Sequence, residues 1–255
     1  MAAGRNCFII SFPYLFSIAA FVLTIFVIVG NLTSTGLLSK LYFMDLDFSD
    51  LSVTVDDTTV SASDLGLPDS YKVGLWNYCT TTDSNTTCSK TKGLFYFNPI
   101  SIIEEAAGAD ITVPSAVSTA LKSVKALSYA MSILFCLAAV FAIMEFISGF
   151  FAFHSRGGSF CSLIISVMSF VCSLASIGIA TGMFAAESKA FSSSDLNISS
   201  SLNHTTLGLG WGAAVAALLA SVFWFFSICV GSTRRTHAEK DIIYSPVENP
   251  STVRY

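Results

Sequence analysis

Four apolar stretches, each long enough to cross a bilayer as a helix, constrain this chain more than any other feature. They cover residues 8–30, 126–150, 160–184 and 208–230 of a 255-residue sequence. Hydrophobic residues make up 53% of the chain and charged residues 12%, whereas about one quarter of the residues of an average soluble domain are charged. The sequence therefore predicts an all-α membrane bundle of four transmembrane helices.

The segments between these stretches differ greatly in length. A short N-terminus (1–7), a turn (151–159) and a polar tail (231–255) are expected on one side of the membrane. A long first loop (31–125) and a shorter second loop (185–207) are expected on the other side. The arginines that flank the spans follow the positive-inside rule if the first set is cytosolic. They are Arg5, Arg156, Arg234 and Arg235. Both termini are thus predicted to be cytosolic, and the tail is predicted to be disordered.

The first loop holds the two cysteines that lie in polar sequence, Cys79 and Cys88, with eight residues between them. A turn at 83–85 between them suits a disulfide across a hairpin or between neighbouring strands. Such a bond would stabilise the loop by about 2–4 kcal/mol, and it persists only in an oxidising compartment. The alternative is two free thiols. A disulfide would place this loop outside the cytosol.

Alternating apolar residues in the first loop predict a small extracellular β-sheet. Residues 42–48 and 51–55 are expected to form two strands or one bulged strand, and residues 71–76 a further strand. Residues 94–97 are the expected partner of that last strand. Since an isolated sheet of a few strands is marginal in water, the sheet is predicted to rest on the outer ends of the helices.

Acceptor sequences for N-glycosylation fall in the two loops predicted to be outside. The candidates are Asn85, Asn197 and Asn203. Asn31 begins another such sequence, but it is expected to lie too near the membrane to be modified.

Three cysteines would lie near the cytosolic face in this topology and are candidates for S-palmitoylation. They are Cys7, Cys161 and Cys229. The alternative is that they act as small apolar packing residues.

Within the spans, glycines and one carboxylate stand out. Gly178 with Gly182, and Gly208 with Gly212, have the spacing that lets helix backbones approach closely, within one bundle or between two copies. Glu145 lies in the part of the second span nearest the cytosol, and a carboxylate inside a membrane is a functional candidate. The alternative is that Glu145 caps a neighbouring helix or reaches the interface.

No catalytic or metal-binding pattern occurs in the sequence. His154, His204 and His237 lie in three separate segments, and no phosphate-binding loop or nucleophile elbow is found. Glu145 is the one ionisable residue in the spans, which disfavours a transporter, and scattered basic residues disfavour nucleic-acid binding. We expect no enzyme activity, no cofactor and no metal.

Five residues of the first loop, together with the layout of the spans, resemble the motif of the claudin superfamily. They are Gly74, Leu75, Trp76, Cys79 and Cys88. The Asn77-Tyr78 pair, the Phe97-Asn-Pro99 segment and the long loop resemble the fungal Sur-seven/PalI branch more closely, and an earlier tryptophan common in animal claudins is missing. The resemblance covers about residues 8–231.

This resemblance implies that the tryptophan anchors the outer sheet to the bundle and that the two cysteines pair. It also implies a non-catalytic plasma-membrane protein that organises cortical, eisosome-associated membrane domains and supports cell-wall integrity. A subunit for ambient-pH signalling, and a cell-contact, mating or ion-conducting protein, are the alternatives. The expected partners are membrane lipids, other cortical membrane proteins and further copies of the chain, without nucleic acid.

Overall fold

The computed structural model describes residues 2–55, 58–83, 85–107, 115–152, 156–192 and 198–243. Over these residues the chain forms five α-helices and a short 3₁₀ turn at Leu38–Lys40. The helices are α1 (Ala2–Val29), α2 (Pro99–Ala107), α3 (Ser115–Ala152), α4 (Arg156–Ser192) and α5 (His204–Ile243).

Four of the described helices are long and apolar enough to cross a membrane, which confirms the predicted number of spans. The apolar segments are Ser11–Val29, Ser123–Phe151, Gly158–Phe191 and His204–Ile228. The most extensive contacts are between α3 and α4, α1 and α5, and α4 and α5, and α1 also touches α3. The four helices therefore form a closed bundle whose outer surface presents large apolar side chains such as Leu15, Phe151 and Val215.

The helices extend beyond the apolar stretches that predicted them. Helix α5 continues to Ile243, so the prediction of a disordered tail from residue 231 is wrong over 231–243. Helix propagation is local, and the first proline after this span is Pro246, so nothing in 231–243 stops a helix already formed in the membrane. Residues 244–255 lie outside the described residues.

The predicted small β-sheet is confirmed at one end of the bundle, which we call the sheet end. The strands that the structure describes are β1 (Met44–Asp47), β2 (Ser52–Val55), β3 (Thr58–Ser61), β4 (Ser70–Val73), β5 (Tyr78–Thr82), β6 (Asn85–Cys88) and β7 (Ser199–Leu202). Five of them form an antiparallel sheet in the order β6-β5-β4-β1-β7, and β2 and β3 form a separate pair. Residues 42–48 and 51–55 thus contribute two strands that belong to different sheets.

The prediction that residues 94–97 form the partner strand of 71–76 is wrong, because β1 and β5 occupy the two sides of β4, and β6 lies beyond β5. The chain reverses at Asp83, whose φ of 47° is left-handed, so β6 pairs locally although its sequence is polar. Phe95 and Phe97 cover Tyr78, with ring centroids 6.2 and 5.6 Å from it. The apolar alternation at 94–97 therefore comes from aromatic packing outside any strand, and α2 follows where no helix was predicted.

The sheet rests on the ends of the helices, as its small size predicted. Phe43 stacks on Phe184 of α4 with centroids 5.2 Å apart and lies 6.4 Å from the ring of Phe135 of α3. Met44 and Leu46, on the same face of β1, are fully buried. Burying side chains of this size contributes about 1.5–3 kcal/mol each, so the bundle supplies the apolar surface that the sheet needs.

The second loop also contributes to the sheet, which the sequence did not predict. Strand β7 pairs with β1 from Met44↔Leu202 to Asp47↔Ser199. Its serines give no apolar alternation, so no hydrophobic pattern marks it as a strand. This pairing makes the two outer loops one structural unit.

Asp45 gives the sheet a pH dependence whose direction can be predicted. Burial raises the pKa of Asp45 and Asp47 adds to this, while Lys72 on the facing strand lowers it less. An acid whose folded pKa lies above its unfolded value costs stability as the pH rises through the folded pKa. We expect Asp45→Asn to raise the unfolding temperature in detergent at neutral pH and to change it little in acid.

Asp50→Asn is the matched control, because Asp50 is exposed on the same loop. Thermal unfolding of both variants across the pH range measures the effect. An Asp45→Asn variant with the same pH dependence as the unaltered chain would contradict this assignment.

Candidate functional site

The sheet is fixed to the bundle by a group of contacts at the end of α1, which we call the clip: Asn31, Gly74, Trp76 and the Cys79–Cys88 disulfide. The cysteines lie directly opposite each other on β5 and β6 and are joined by a disulfide, which confirms the predicted pair. The Sγ of Cys79 lies 3.4 Å from the carbonyl oxygen of Asn31. The disulfide thus borders the point where α1 meets the sheet.

Trp76 joins the sheet to α1 through a hydrogen bond. Its indole Nε1–H donates to the carbonyl oxygen of Ile28 at 2.8 Å. Ile28 lies in the last turn of α1, where carbonyl groups have no partner within the helix. The anchoring role that the resemblance implied for this tryptophan therefore corresponds to a specific bond to the end of a helix.

Asn31 is the clip residue that sequence reasoning missed. Its backbone is left-handed, with φ of 60°, a conformation that asparagine tolerates better than most residues. Its Nδ2 donates to the carbonyl oxygen of Lys72 at 2.9 Å, so it connects the end of α1 to β4. Asn31 is fully buried, which agrees with the expectation that its acceptor sequence is not modified.

Gly74 and Leu75 have distinct roles beside Trp76. A Cβ at Gly74 would lie 2.8 Å from the Cβ of Asn31 and 3.1 Å from the carbonyl oxygen of Asn77. Only glycine permits this close approach of the sheet to the end of α1. Leu75 is buried in the cluster that joins sheet and bundle. Four of the five motif residues therefore belong to the clip, and the fifth, Leu75, lies between Gly74 and Trp76 in the chain and is buried.

Glu145 lies inside the bundle, between the four helices. It does not cap a helix and does not reach the membrane interface, which were the two structural roles considered from the sequence. It is 2% exposed. Its Oε1 accepts hydrogen bonds from the Ser17 hydroxyl of α1 and from Trp224 Nε1–H of α5 at 2.8 Å. Ser166 of α4 lies close enough to the carboxyl group to interact with it. One side chain of α3 thus connects all four spanning helices, and these donors offset the cost of burying it.

Small polar residues, and not glycines, form the inner face of α4. Six buried serines recur at alternating steps of three and four residues, the spacing of one helix face. They are Ser159, Ser162, Ser166, Ser169, Ser173 and Ser176. Ser162 shares a hydrogen bond of 2.9 Å with Ser148 of α3, and Ser166 shares one of 3.0 Å with Ser221 of α5. We call this set the serine row.

The prediction that the paired glycines bring helices of this bundle together is wrong for three of the four. A Cβ at Gly178, Gly182 or Gly208 would lie more than 4 Å from every atom beyond its chain neighbours and the nearby backbone of its own helix, and one at Gly212 would make an ordinary contact of 3.5 Å with Leu23. Close approaches occur elsewhere, at Gly149 beside Tyr14 and at Gly210 beside Ile177. In a membrane every helix face is apolar, so hydrophobicity does not reveal which small residues face inward.

The candidate modification sites differ in accessibility. Asn85 is exposed on the edge strand β6, whereas Asn203 is half-buried and its Nδ2 donates to the carbonyl oxygen of Lys40 at 2.6 Å. Asn197 lies outside the described residues. Cys161 is exposed near the start of α4, and the side chains of Cys7 and Cys229 lie outside the described part of the structure. Modification at all these sites stays a prediction.

Together, the four-helix bundle, the sheet and the disulfide-bordered clip define a four-span membrane protein of the claudin-like class. The model of the SUR7/PalI family matches residues 9–223, and the chain belongs to this family. Protein PUN1 of Saccharomyces cerevisiae is 27% identical over 240 residues, covering 86% of this chain and 91% of that protein. SUR7 family protein pun1 of Schizosaccharomyces pombe is 30% identical over 213 residues, covering 78% of this chain and 72% of that protein.

Trp76→Phe should weaken the clip, because it keeps an aromatic ring and removes the donor to the Ile28 carbonyl. We expect a loss of about 1 kcal/mol in the free energy of unfolding, and faster reduction of the Cys79–Cys88 disulfide by dithiothreitol. Trp211→Phe is the control, since Trp211 donates at 3.2 Å to Thr181 of α4 and makes no bond to the sheet. Equal reduction rates in the two variants would argue against an anchoring bond.

Replacement of Glu145 by leucine should destabilise the bundle, because it leaves the Trp224 and Ser17 donors unsatisfied. Each buried unsatisfied group costs about 1–3 kcal/mol. Glu145→Gln keeps an amide oxygen as acceptor and should retain most of the stability. Thermal unfolding in detergent measures both, and a leucine variant as stable as the glutamine variant would contradict the connecting role.

Two glycine-to-alanine changes should have opposite effects. Gly210→Ala places a methyl group against Ile177 and should cost about 1–3 kcal/mol. Gly178→Ala meets open space and should gain about 0.5–1 kcal/mol from helix propensity. The unfolding temperatures of the two variants test this, and a loss of stability in Gly178→Ala would restore the original packing prediction.

Proposed function

We propose that this chain is a non-catalytic plasma-membrane protein that organises cortical, eisosome-associated membrane domains and supports cell-wall integrity. The sheet faces outward, and both termini lie in the cytosol. Membership in the SUR7/PalI family supports this role, and the names of its relatives state no catalytic activity.

The observation that carries the proposal is the fixed attachment of the sheet to the bundle. Trp76 and Asn31 bond the sheet to the end of α1, and β7 ties it to the chain between α4 and α5. A sheet held at these points cannot reorient freely relative to the membrane. It therefore suits a platform that presents one constant surface to neighbouring proteins or to the wall.

The lateral surface of the bundle supports the same role. Large apolar side chains are exposed around its circumference, as membrane-spanning helices require. They include Leu15 at 62%, Ile133 at 48%, Phe151 at 65% and Phe225 at 55% exposure. Lipids, other cortical membrane proteins and further copies of the chain are the partners that such a surface can bind.

The disulfide supports the proposed outward orientation of the sheet. A bond between Cys79 and Cys88 persists in the secretory lumen or outside the cell and is reduced in the cytosol. The arginines that flank the opposite ends of the spans agree with this orientation under the positive-inside rule.

An ion-conducting role is disfavoured by the setting of Glu145. The spans would use this carboxylate to bind an ion, yet it is enclosed and its Oε1 already has donors from α1 and α5. It is positioned to hold helices together, which fits a scaffold better than a pathway.

A subunit for ambient-pH signalling is the second candidate, and Asp45 is the observation that favours it. This carboxyl group lies on the outward sheet, and burial raises its pKa. Protonation of Asp45 would change the stability of the sheet. Because β1 packs on the bundle, a change in the sheet would also affect the bundle.

Fluorescent tagging in a fungal cell tests the leading role. We expect stable cortical patches that recover slowly after photobleaching, and loss of these patches in the Trp76→Ala variant. Trp211→Phe should retain them. A diffuse signal that recovers rapidly would overturn the proposal, and a signal that gathers only after an alkaline shift, and no longer does so in Asp45→Asn, would favour the pH-signalling candidate.

Orientation is tested on intact spheroplasts with an impermeant maleimide and an impermeant phosphine reductant. Cys79 and Cys88 should react only after the reductant is added. Reaction of both thiols without reductant, and only after permeabilisation of the cell, would place the sheet in the cytosol and overturn this orientation.

A further inference from the structure

A polar cavity of about 460 Å³ lies between the sheet, the end of the first span and the start of the last span. Its walls come from the residues that follow α1, from the faces of β4, β5 and β6, and from the start of α5. The two spans border it at Val29, where the first ends, and at His204, where the last begins. The cavity therefore lies at the level where the apolar core of a membrane gives way to lipid head groups.

The lining is cationic and rich in hydrogen-bonding groups. Lys40 and Lys72 both line it, and the other described side chains of its lining are hydroxyls, amides and Cys79, with no carboxylate among these described residues. The Lys72 ammonium lies 5.5 Å from the centre of the Tyr42 ring. Asp45 on β1 faces Lys72 and partly offsets its charge, but Asp45 is not part of the wall. Two ammonium groups against one carboxylate leave the cavity positive.

The start of α5 adds to this positive potential. Asn203 caps the helix, with its Oδ1 accepting from the Thr205 backbone N–H at 3.0 Å, and both residues line the cavity. The N-terminus of a helix carries a partial positive charge that favours phosphate and other anions. The two lysines and the N-terminus of α5 therefore both make the electrostatic potential of this cavity more positive.

Asn31 supplies a separate sign that the site is built for a ligand. It lines the cavity and is fully buried, and its Nδ2 is bonded to Lys72. Its Oδ1, however, is buried with no hydrogen-bond partner. A buried acceptor left unpaired costs about 1–3 kcal/mol, and a hydroxyl group of a ligand would satisfy it.

We propose that this cavity binds the head group of an anionic phospholipid whose phosphate carries a hydroxylated substituent. Lys40 and Lys72 pair with the phosphate, and Asn31 accepts from a hydroxyl. The inference extends the proposed membrane-organising role by naming a lipid class. Its position at the membrane surface favours a lipid over a soluble phosphate ester of the same chemistry.

The purified full chain in nanodiscs provides the test. Phosphatidylcholine discs with and without phosphatidylinositol are compared, by native mass spectrometry for bound lipid and by thermal unfolding. We expect about one phosphatidylinositol retained per chain and a higher unfolding temperature in its presence. Lys40→Gln combined with Lys72→Gln should weaken binding by roughly tenfold or more, since each lost charge-assisted hydrogen bond has that magnitude.

Lys90→Gln combined with Lys92→Gln is the matched control, because it removes the same charge from exposed lysines of the same loop that do not line the cavity. Equal weakening in both double variants would mean general attraction to an anionic surface and would overturn the site. Lys40→Glu, at an exposed lysine, gives a second variant, and unchanged unfolding in pure phosphatidylcholine verifies its fold.

A second binding experiment with a soluble ligand distinguishes a lipid head group from a soluble phosphate ester. Inositol 1-phosphate in solution should bind far more weakly than the lipid. If it binds as tightly and competes with the lipid, the occupant is a soluble ester and the lipid assignment is overturned. This binding test does not depend on cortical patches, so a failed patch experiment and a failed cavity experiment are distinguishable.

Discussion

The attachment of the sheet to the bundle depends on the end of α1. Two groups make this attachment there, the indole N–H of Trp76 and the side-chain amide of Asn31. The last carbonyl groups of a helix lack partners within it, and here one of them, that of Ile28, receives a donor from the sheet. Asn31 then leads the chain out of the helix in a left-handed conformation and bonds back to β4. Because Gly74 has no side chain, the sheet can approach Asn31 closely at this point. The apolar contacts of Phe43 and Leu46 with the bundle follow from the orientation fixed at this point.

The interior of the bundle contains specific polar contacts as well as apolar ones. Lipid tails are as apolar as leucine, so burial alone does not drive spanning helices together. Glu145, Trp224 and the serine row provide bonds that each require a specific neighbour. Because each of these bonds requires a specific neighbour, they favour a single packing of the four helices. A bundle with a single packing gives the sheet a fixed surface to rest on.

The architecture could be predicted from the sequence because its signals are strong and local. Long apolar runs specify spans, and Cys79 and Cys88 in polar sequence specify a disulfide. The errors have physical causes. The aromatic alternation at 94–97 arises from packing on Tyr78, and β7 is a strand because β1 offers it an edge, not because of its serines. The spacing of Ser162, Ser166 and Ser169 indicates the inner face of α4. The prediction instead used the glycine pair of α4, which lies on its outer face. Asn31 carried no signal beyond an acceptor sequence.

The position of β7 in the chain has a consequence for how the molecule is made. Strand β1 is synthesised before α3, and its partner β7 emerges only after α4 has been completed. Until then β1 has an unpaired edge, which is a site for unwanted association. A nascent chain that has inserted only its first three helices therefore carries an open strand at the membrane surface. Closure of that edge by β7 therefore distinguishes a finished molecule from an unfinished one.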